Sequence, residues 1–422
     1  MIKKIRVEDL QVGMFVDDFN VPWMEHPFLT SKRLLQRAKD IQVLVDQNIL
    51  EVYIDTGRGK DSPKAVAVGE FDAEVRQEMA ELPSADEPGA SAEEKAPVDV
   101  TPFDEELRRA KNVYGEAKNL VQDLLHDARM GNSIDGERAV AVVDEMVDSI
   151  FRNQDALSSL SRLKSFDDYT FHHSVNVAVL SLALGRHLGL VKGELRRLGI
   201  GAILHDVGKM RVPEEILNKP GKLTVEEFAV MRTHTLHGAK ILMQTKDLPE
   251  DCSTVALNHH ERFNGKGYPR GLAGLAIGKF GLISAIADVY DAITSDRVYH
   301  KGMPSYQAVQ KVYEWTKTDF YPIYVQKFIQ CLGIFPVGSV VRLDTGEVGV
   351  VSRQNHEQLL RPWVRLVHGA LGEPAPREEV DLREPDALGA KAFARTVAST
   401  VHACEVAFDV NEVLLGERRD AA

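Results

Sequence analysis

Two histidine-containing doublets, His205-Asp206 and His259-His260, stand among single histidines at His173 and His234 and upstream of an aspartate, Asp288. Imidazole nitrogen and carboxylate oxygen without thiolate form a donor set suited to iron, manganese, zinc or nickel, and argue against a structural zinc site of the cysteine type. Of the fourteen histidines, eight fall between residues 172 and 260, where even scatter would put about three. Adjacent side chains on a helix point roughly 100° apart. If a helix ends at His205-Asp206, the carboxylate can bridge two metals while the imidazole binds one, which is the geometry a dinuclear centre needs.

These residues lie near the middle or end of predicted helices, so several helices would aim ligands into one bundle interior. From Phe103 to about Cys331, apolar residues recur at helical spacing and predict helices over 103–130, 135–163, 169–189, 192–206, 224–245, 250–262, 280–294 and 305–331. Thr224 followed by Glu227 is a capping box at one of these starts. After Pro336 the period changes to two: Val340, Val341 and Leu343, a turn at Asp344-Thr345-Gly346, then Val348, Val350 and Val351 predict a hairpin, with Trp363–Leu366 as a further strand. Ahead of the bundle, Ile5–Asp55 predicts a helix over 31–47 and a strand at Val52-Tyr53-Ile54. Residues 81–102 carry Pro83, Pro88, Pro97 and Pro102 among Ser, Ala, Asp and Glu, a composition that buries little surface. The chain is therefore expected to be mainly α: a small α/β domain over 1–80, a flexible acidic linker over 81–101, a helical domain over 102–335, a small β subdomain over 336–395 and a tail over 396–422.

The 422 residues are 44% hydrophobic and 27% charged, an ordinary composition for a globular chain with two or three domains. The formal net charge of −12 provides no field to gather nucleic acid, so an anionic ligand must be held locally. Cys252, Cys331 and Cys404 are odd in number and far apart, with no disulfide framework and no CxxC motif, which fits a reducing compartment. The most apolar stretch, Leu272–Tyr290, is interrupted by Lys279 and Asp288 and suits a core helix better than a membrane span, and the N-terminus lacks the apolar run of a signal peptide. A cytoplasmic location is expected.

Three segments together resemble the HD-GYP branch of the HD-domain phosphohydrolases: His205-Asp206-Val207-Gly208-Lys209; His259-His260-Glu261-Arg262-Phe263-Asn264-Gly265-Lys266-Gly267-Tyr268-Pro269; and Ile286-Ala287-Asp288-Val289-Tyr290-Asp291-Ala292. The spacings from His173 through His205, His234, His259 and from His260 to Asp288 are 32, 29, 25 and 28 residues and look like the family's. The resemblance covers roughly residues 165–335 and implies an HD-type helical bundle. It implies that His205, Asp206 and Asp288 hold one metal with His173 close by, that His234, His259 and His260 hold the other, and that Asp206 bridges. The implied cofactors are two divalent transition-metal ions, iron or manganese ahead of zinc or nickel. The implied activity is hydrolysis of cyclic di-GMP to linear pGpG, in some members onward to GMP, by attack of a metal-bridging hydroxide on phosphorus. Asp206 and Lys209 would serve catalysis, and Lys209, Tyr268 and Arg297 would contact substrate.

The chain departs from the family pattern at Tyr169, where some members have a glutamate that adds a third metal, so a two-metal centre is expected. Asn264 replaces a common Asp, and His300, beside Lys301, replaces a basic residue. The first 60 residues, including Gly13–Val16 and Trp23–Phe28, look like a small uncharacterised domain often found ahead of HD-GYP domains, taken as regulatory or dimer-forming. Asp291 is open between a carboxylate partner of a ligand and a cap, and Lys209 between a phosphate contact and a solvated helix-end lysine. His172, His187 and His237 are expected to be hydrogen-bonded core residues. The competing functions are a general HD nucleotide phosphohydrolase and a cyclic di-GMP receptor or adaptor with little turnover. Expected partners besides cyclic di-GMP are a second copy of the chain and a diguanylate cyclase or other signalling protein, with no nucleic acid and no membrane span.

Overall fold

In this computed structural model the described residues are 1–21, 32–47, 49–82, 101–161, 169–296, 302–387, 392–402 and 405–415. Most of the expected linker, Trp23–Phe28, Arg297, His300, Lys301 and Cys404 lie outside them. The chain divides into two units, one of residues 1–81 with Pro220–Lys222, the other of the remainder.

The first unit is an antiparallel sheet with two helices. Its elements are β1 (Ile2–Arg6), β2 (Phe15–Asp18), β3 (Arg33–Leu34), α1 (Ala38–Asp46), β4 (Glu51–Asp55), β5 (Val66–Ala67) and α2 (Val68–Ala80). The strand order is β3-β2-β4-β1-β5, and β1 pairs with β4 in the register Ile2 to Asp55 through Arg6 to Glu51. Ile5, Val7, Met14, Val16, Phe19, Leu35, Leu44, Val52 and Ile54 form its core. The helix predicted over 31–47 starts later than expected. The Asp40 carboxylate accepts the backbone N–H groups of Gln36 and Arg37 at 3.1 and 3.0 Å, which caps the chain there, while Arg33 and Leu34 pair with β2.

The second unit begins with α3 (Phe103–Met130), α4 (Gly136–Arg152), α5 (Gln154–Leu160), α6 (Tyr169–His187) and α7 (Lys192–Ile203), followed by a 3₁₀ turn over Val207–Arg211. It continues with α8 (Glu214–Leu217), α9 (Val225–Arg232), α10 (His234–Gln244), α11 (Ser253–Asn258), α12 (Lys279–Thr294), α13 (Ser305–Glu314) and α14 (Pro322–Leu332). Three helices expected to be continuous are broken, each for a local reason. Asn153 Oδ1 accepts from the N–H groups of Asp155 and Ala156, starting α5 afresh after α4. Pro322, which has no N–H, opens α14 at the first helical position and separates it from α13. Thr233 ends α9 and α10 begins at His234, so a predicted ligand sits at a helix start. The capping box at Thr224 forms, with Glu227 N–H to Thr224 Oγ1 at 3.2 Å and Thr224 N–H to Glu227 Oε2 at 2.7 Å.

The helices that must carry the site are the ones buried on every side. Along α12 every residue from Phe280 to Asp291 is buried, and α6 is buried from His173 through Arg186. A helix apolar all round belongs in the middle of a bundle, so the few polar groups on these two face inward by necessity. The unit ends in a second antiparallel sheet, β6 (Val340–Leu343), β7 (Val348–Arg353), β8 (Trp363–His368), β9 (Glu379–Asp381) and β10 (Val397–Val401), with α15 (Val410–Leu415). Its order is β10-β6-β7-β8-β9, and Val340 pairs with Val350 across the hairpin expected from the sequence. The fold is thus mainly helical with a small sheet at each end of the chain. Among the described residues no helix is long and apolar enough to cross a membrane.

Candidate metal centre

α7 stops at Ile203, and His205-Asp206 follow at the turn into the 3₁₀ segment. That turn lies against the start of α10 so closely that a Cβ on Gly208 would be 1.9 Å from the His234 carbonyl oxygen and 2.4 Å from Gly238 N. Glycine is what lets the two ligand-bearing segments meet. His259 and His260 follow the end of α11, α6 contributes His173, and α12 contributes Asp288. All seven predicted ligand positions converge. His173, His205 and Asp206 offer one set of donor atoms within 4.8 Å of one another, and His234, His259 and His260 offer another.

Asp206 stands between the sets. Its Oδ2 lies 3.3 Å from His205 Nε2 and 3.8 Å from His173 Nε2, while its Oδ1 lies 3.4 Å from His234 Nε2 and 3.8 Å from His259 Nε2. Asp288 faces both sides as well, with Oδ1 3.2 Å from His173 Nε2 and Oδ2 3.7 Å from His260 Nδ1. Both carboxylates are buried. Burial alone would raise their pKa, but Lys209, His205 and His234 around Asp206, and His173 and His260 around Asp288, hold both well below the usual carboxylate range.

The tautomers of four histidines follow from their partners. His205 Nδ1 is 2.7 Å from Ala202 O, His234 Nδ1 2.7 Å from Met231 O, and His259 Nδ1 3.0 Å from Ala256 O. A carbonyl oxygen only accepts, so each Nδ1 carries the hydrogen and each ring turns its Nε2 to the centre. His173 Nδ1 donates in the same way to Asp291 Oδ2 at 2.7 Å. Burial lowers His234 to about 4 and His259 to about 3, which keeps both rings neutral. At His173 burial also opposes the charge, but Asp288 and Asp291 outweigh it and raise the imidazole to about 9.

This donor set fits divalent metal. His234 Nε2 and His259 Nε2 face each other at 3.4 Å with a lone pair on each, and among the described residues the buried His205 Nε2 and Asp206 Oδ1 have no hydrogen-bond partner. Converging acceptors without donors are costly in a protein interior unless a cation answers them.

Around the ligands, Lys209 Nζ contacts Asp206 Oδ2. Tyr268 stacks on His260 with ring centres 4.6 Å apart. Sequence reasoning missed three neighbours. The guanidinium of Arg232 lies 4.6 Å from the Tyr268 ring centre, and among the described residues it has no carboxylate partner. Glu261, buried in the middle of the His259-to-Pro269 motif, accepts the N–H groups of Arg270 and Leu272 at 2.8 and 2.9 Å and so fixes the loop that carries Tyr268. Asn176 Nδ2 donates to Asp291 Oδ1 at 2.8 Å, which makes Asp291 a ligand's partner as well as a helix residue. Placement one turn from a ligand, at Asn176 and Asp291 alike, was the available signal.

Residues 2–139 match a domain of unknown function, DUF3391, and residues 146–321 match the HD domain. A cyclic di-GMP phosphodiesterase of Pseudomonas aeruginosa is 41% identical over 386 residues, covering 90% of this chain and 89% of that protein. A 3′3′-cGAMP-specific phosphodiesterase of Vibrio cholerae is 42% identical over 135 residues, 32% of this chain and 31% of that one. Among solved structures, an HDG"Y"P protein of Bdellovibrio bacteriovorus aligns with a TM-score of 0.44 at 20% identity, covering 78% of this chain and 98% of that chain. The class is that of HD-domain proteins, metal-dependent where they act as phosphodiesterases. Within it, the chain belongs to the HD-GYP family of phosphodiesterases, with a DUF3391 domain ahead of the HD domain.

Proposed function

We propose that this protein hydrolyses cyclic di-GMP to linear pGpG at a centre of two divalent transition-metal ions, iron or manganese. The observation that carries the reading is Asp206, whose two oxygens face two separate histidine sets. His173, His205, Asp206 and Asp288 would hold one ion, and His234, His259, His260 and Asp206 the other. Ions held there supply positive charge to phosphodiester oxygens and acidify water. The protein's own contribution is orientation: carbonyl-bound Nδ1 atoms and the Asp291 carboxylate fix the ligand rings in advance, so little reorganisation accompanies binding.

Lys209 Nζ, tied to Asp206 and partly exposed, is placed to donate to a phosphate oxygen. Tyr268, stacked on His260, places an aromatic ring beside the second histidine set. Arg232, held against that ring, adds a cation to a chain whose overall charge would repel the substrate. Tyr169 stands where a third metal's glutamate would be, which supports pGpG rather than GMP as the end product.

The test is turnover of cyclic di-GMP by protein prepared without oxygen and reloaded separately with manganese, iron or zinc, with product chromatography. 3′3′-cGAMP and dGTP run alongside as competing substrates. Linear pGpG formed by the intact chain, and absent from a His205→Ala/Asp206→Ala double variant that stays folded, is the expected result. Equal turnover by the double variant would refute the reading, and metal-loaded, folded protein that binds cyclic di-GMP without product would make it a receptor.

A further inference from the structure

We infer that Tyr114, on α3 and within the DUF3391 match, is a positioning residue of the metal centre, acting on His173 through Asn176 and Asp291. The inference rests on the reading of His173 as a ligand of one of two ions. Tyr114 lies outside residues 146–321, the extent of the HD match, so a segment of unassigned role completes the support of the site.

The chain of contacts has one consistent direction. The Asp291 carboxylate only accepts, so the Asn176 amide must turn its nitrogen to Asp291 Oδ1, at 2.8 Å, and its oxygen away. That oxygen only accepts in turn, so the Tyr114 hydroxyl must donate to it, at 2.6 Å. The phenol oxygen then keeps lone pairs for His172 Nδ1, 3.2 Å away. At the other end Asp291 Oδ2 takes the His173 Nδ1 hydrogen at 2.7 Å, which leaves His173 Nε2 as the atom facing Asp288 and Asp206. Asp291 thus sets which way the Asn176 amide points, and Tyr114 supplies the donor that holds its oxygen and anchors the amide against Asp291, in line with His173.

Packing shows why this residue can do so. The buried stripe of α3 runs through Val113, Ala117 and Leu120, with Tyr114 beside it, and Asn176, Asp291 and His173 are all buried. Water has little access to replace the phenol. Without it Asn176 Oδ1 becomes a buried acceptor lacking its donor, and the amide is held only at its Asp291 end. Direct partners of a metal-ligating histidine change metal affinity by about 10- to 100-fold when removed, and Tyr114, two hydrogen bonds further out, is expected at the low end of that range.

The test is Mn²⁺ titration of metal-stripped protein, wild type against Tyr114→Phe, with thermal unfolding of both metal-free proteins. Phenylalanine keeps the ring and removes only the hydroxyl. The expected result is about tenfold weaker binding in one of the two Mn²⁺ steps, with the other step changed less because, among the described residues, Tyr114 reaches His234, His259 and His260 only through His173 and the shared Asp206 and Asp288. A purely structural role would lower the metal-free melting temperature and leave the two steps unaltered or weakened alike, and either pattern overturns the inference. If Tyr114→Phe does not fold, Asn176→Ala breaks the same link and is judged by the same pattern. Wild-type protein that takes up no Mn²⁺ would overturn the metal reading together with this inference, whereas two normal steps in wild type and variant overturn the inference alone.

Discussion

Gly208→Ala should dismantle the metal centre without touching a ligand. The added Cβ would lie 1.9 Å from the His234 carbonyl oxygen, about 1.5 Å short of ordinary van der Waals contact, and 2.4 Å from Gly238 N. Both obstacles are backbone, so no side chain can swing aside. The 3₁₀ turn holding His205-Asp206 must therefore part from α10 by a distance on the order of 1 Å, and with it Asp206 Oδ1 from His234 Nε2, now 3.4 Å apart. Metal–ligand distances tolerate only about 0.2 Å, and overpacking of this kind costs roughly 1–3 kcal/mol of stability. A misplacement near 1 Å is worth on the order of 100-fold in turnover. We expect a melting temperature lowered by several degrees, at least one Mn²⁺ site lost by titration, and cyclic di-GMP turnover reduced by about 100-fold or more. A Gly208→Ala protein with wild-type metal stoichiometry and turnover would refute the argument that this contact sets the spacing of the two ligand sets.

Three further outcomes follow from the same geometry. Arg232→Gln should raise KM for cyclic di-GMP by about tenfold, the order expected for one charge-assisted contact, while leaving the hydrolysis of bis(p-nitrophenyl) phosphate by the same metal-loaded enzyme nearly unchanged; steady-state kinetics on both substrates decides it. Stripping metal with a chelator should lower thermal stability, because ions that bind only the folded chain contribute about 2.7 kcal/mol at 100 times their Kd, and calorimetry with and without added Mn²⁺ measures it. Burial pushes the His187 imidazole down to about 4 from 6.5, so below pH 6.5 the unfolded chain takes a proton that the folded one refuses. Stability is then full above pH 6.5 and falls as pH drops toward 4, by roughly 2–3 kcal/mol, and denaturant titrations across that range should show a shallower fall in His187→Gln.

Local pattern revealed the parts whose cause is local. The apolar period of α3 predicted its span of Phe103–Met130, the Thr224 box forms, and the valine alternation after Pro336 forms the hairpin. The break at Asn153 escaped because a side-chain cap competes with an otherwise unbroken helical period, and the break at Thr233 because its hydroxyl turns back to Val230 O at 2.6 Å. At the site, the histidine doublets stood out because such donors rarely cluster. Tyr114, Asn176 and Asp291 are joined across separations of 62 and 115 residues, and nothing in a single helix's period announces such a link. Glu261 was hidden differently: an acid beside two histidines suggests a ligand or a surface charge, whereas its role is to bond two backbone N–H groups of its own loop.

The Nδ1–carbonyl bonds of His205, His234 and His259 have a meaning beyond tautomer choice. Ala202, Met231 and Ala256 lie in the last turns of α7, α9 and α11, where helix carbonyls lack intrahelical donors. The three rings therefore share in capping these helix ends, beside the backbone N–H groups of Leu204 at α7 and Thr233 at α9, and His259 is itself the C-cap of α11. Deleting such a histidine removes a bond to a helix end along with a donor, so an alanine at any of the three will not report on chemistry alone. It also bears on lineages that abandon catalysis: discarding these histidines would expose helix ends, and a descendant that keeps them for architecture would look like an enzyme in its sequence while having ceased to be one.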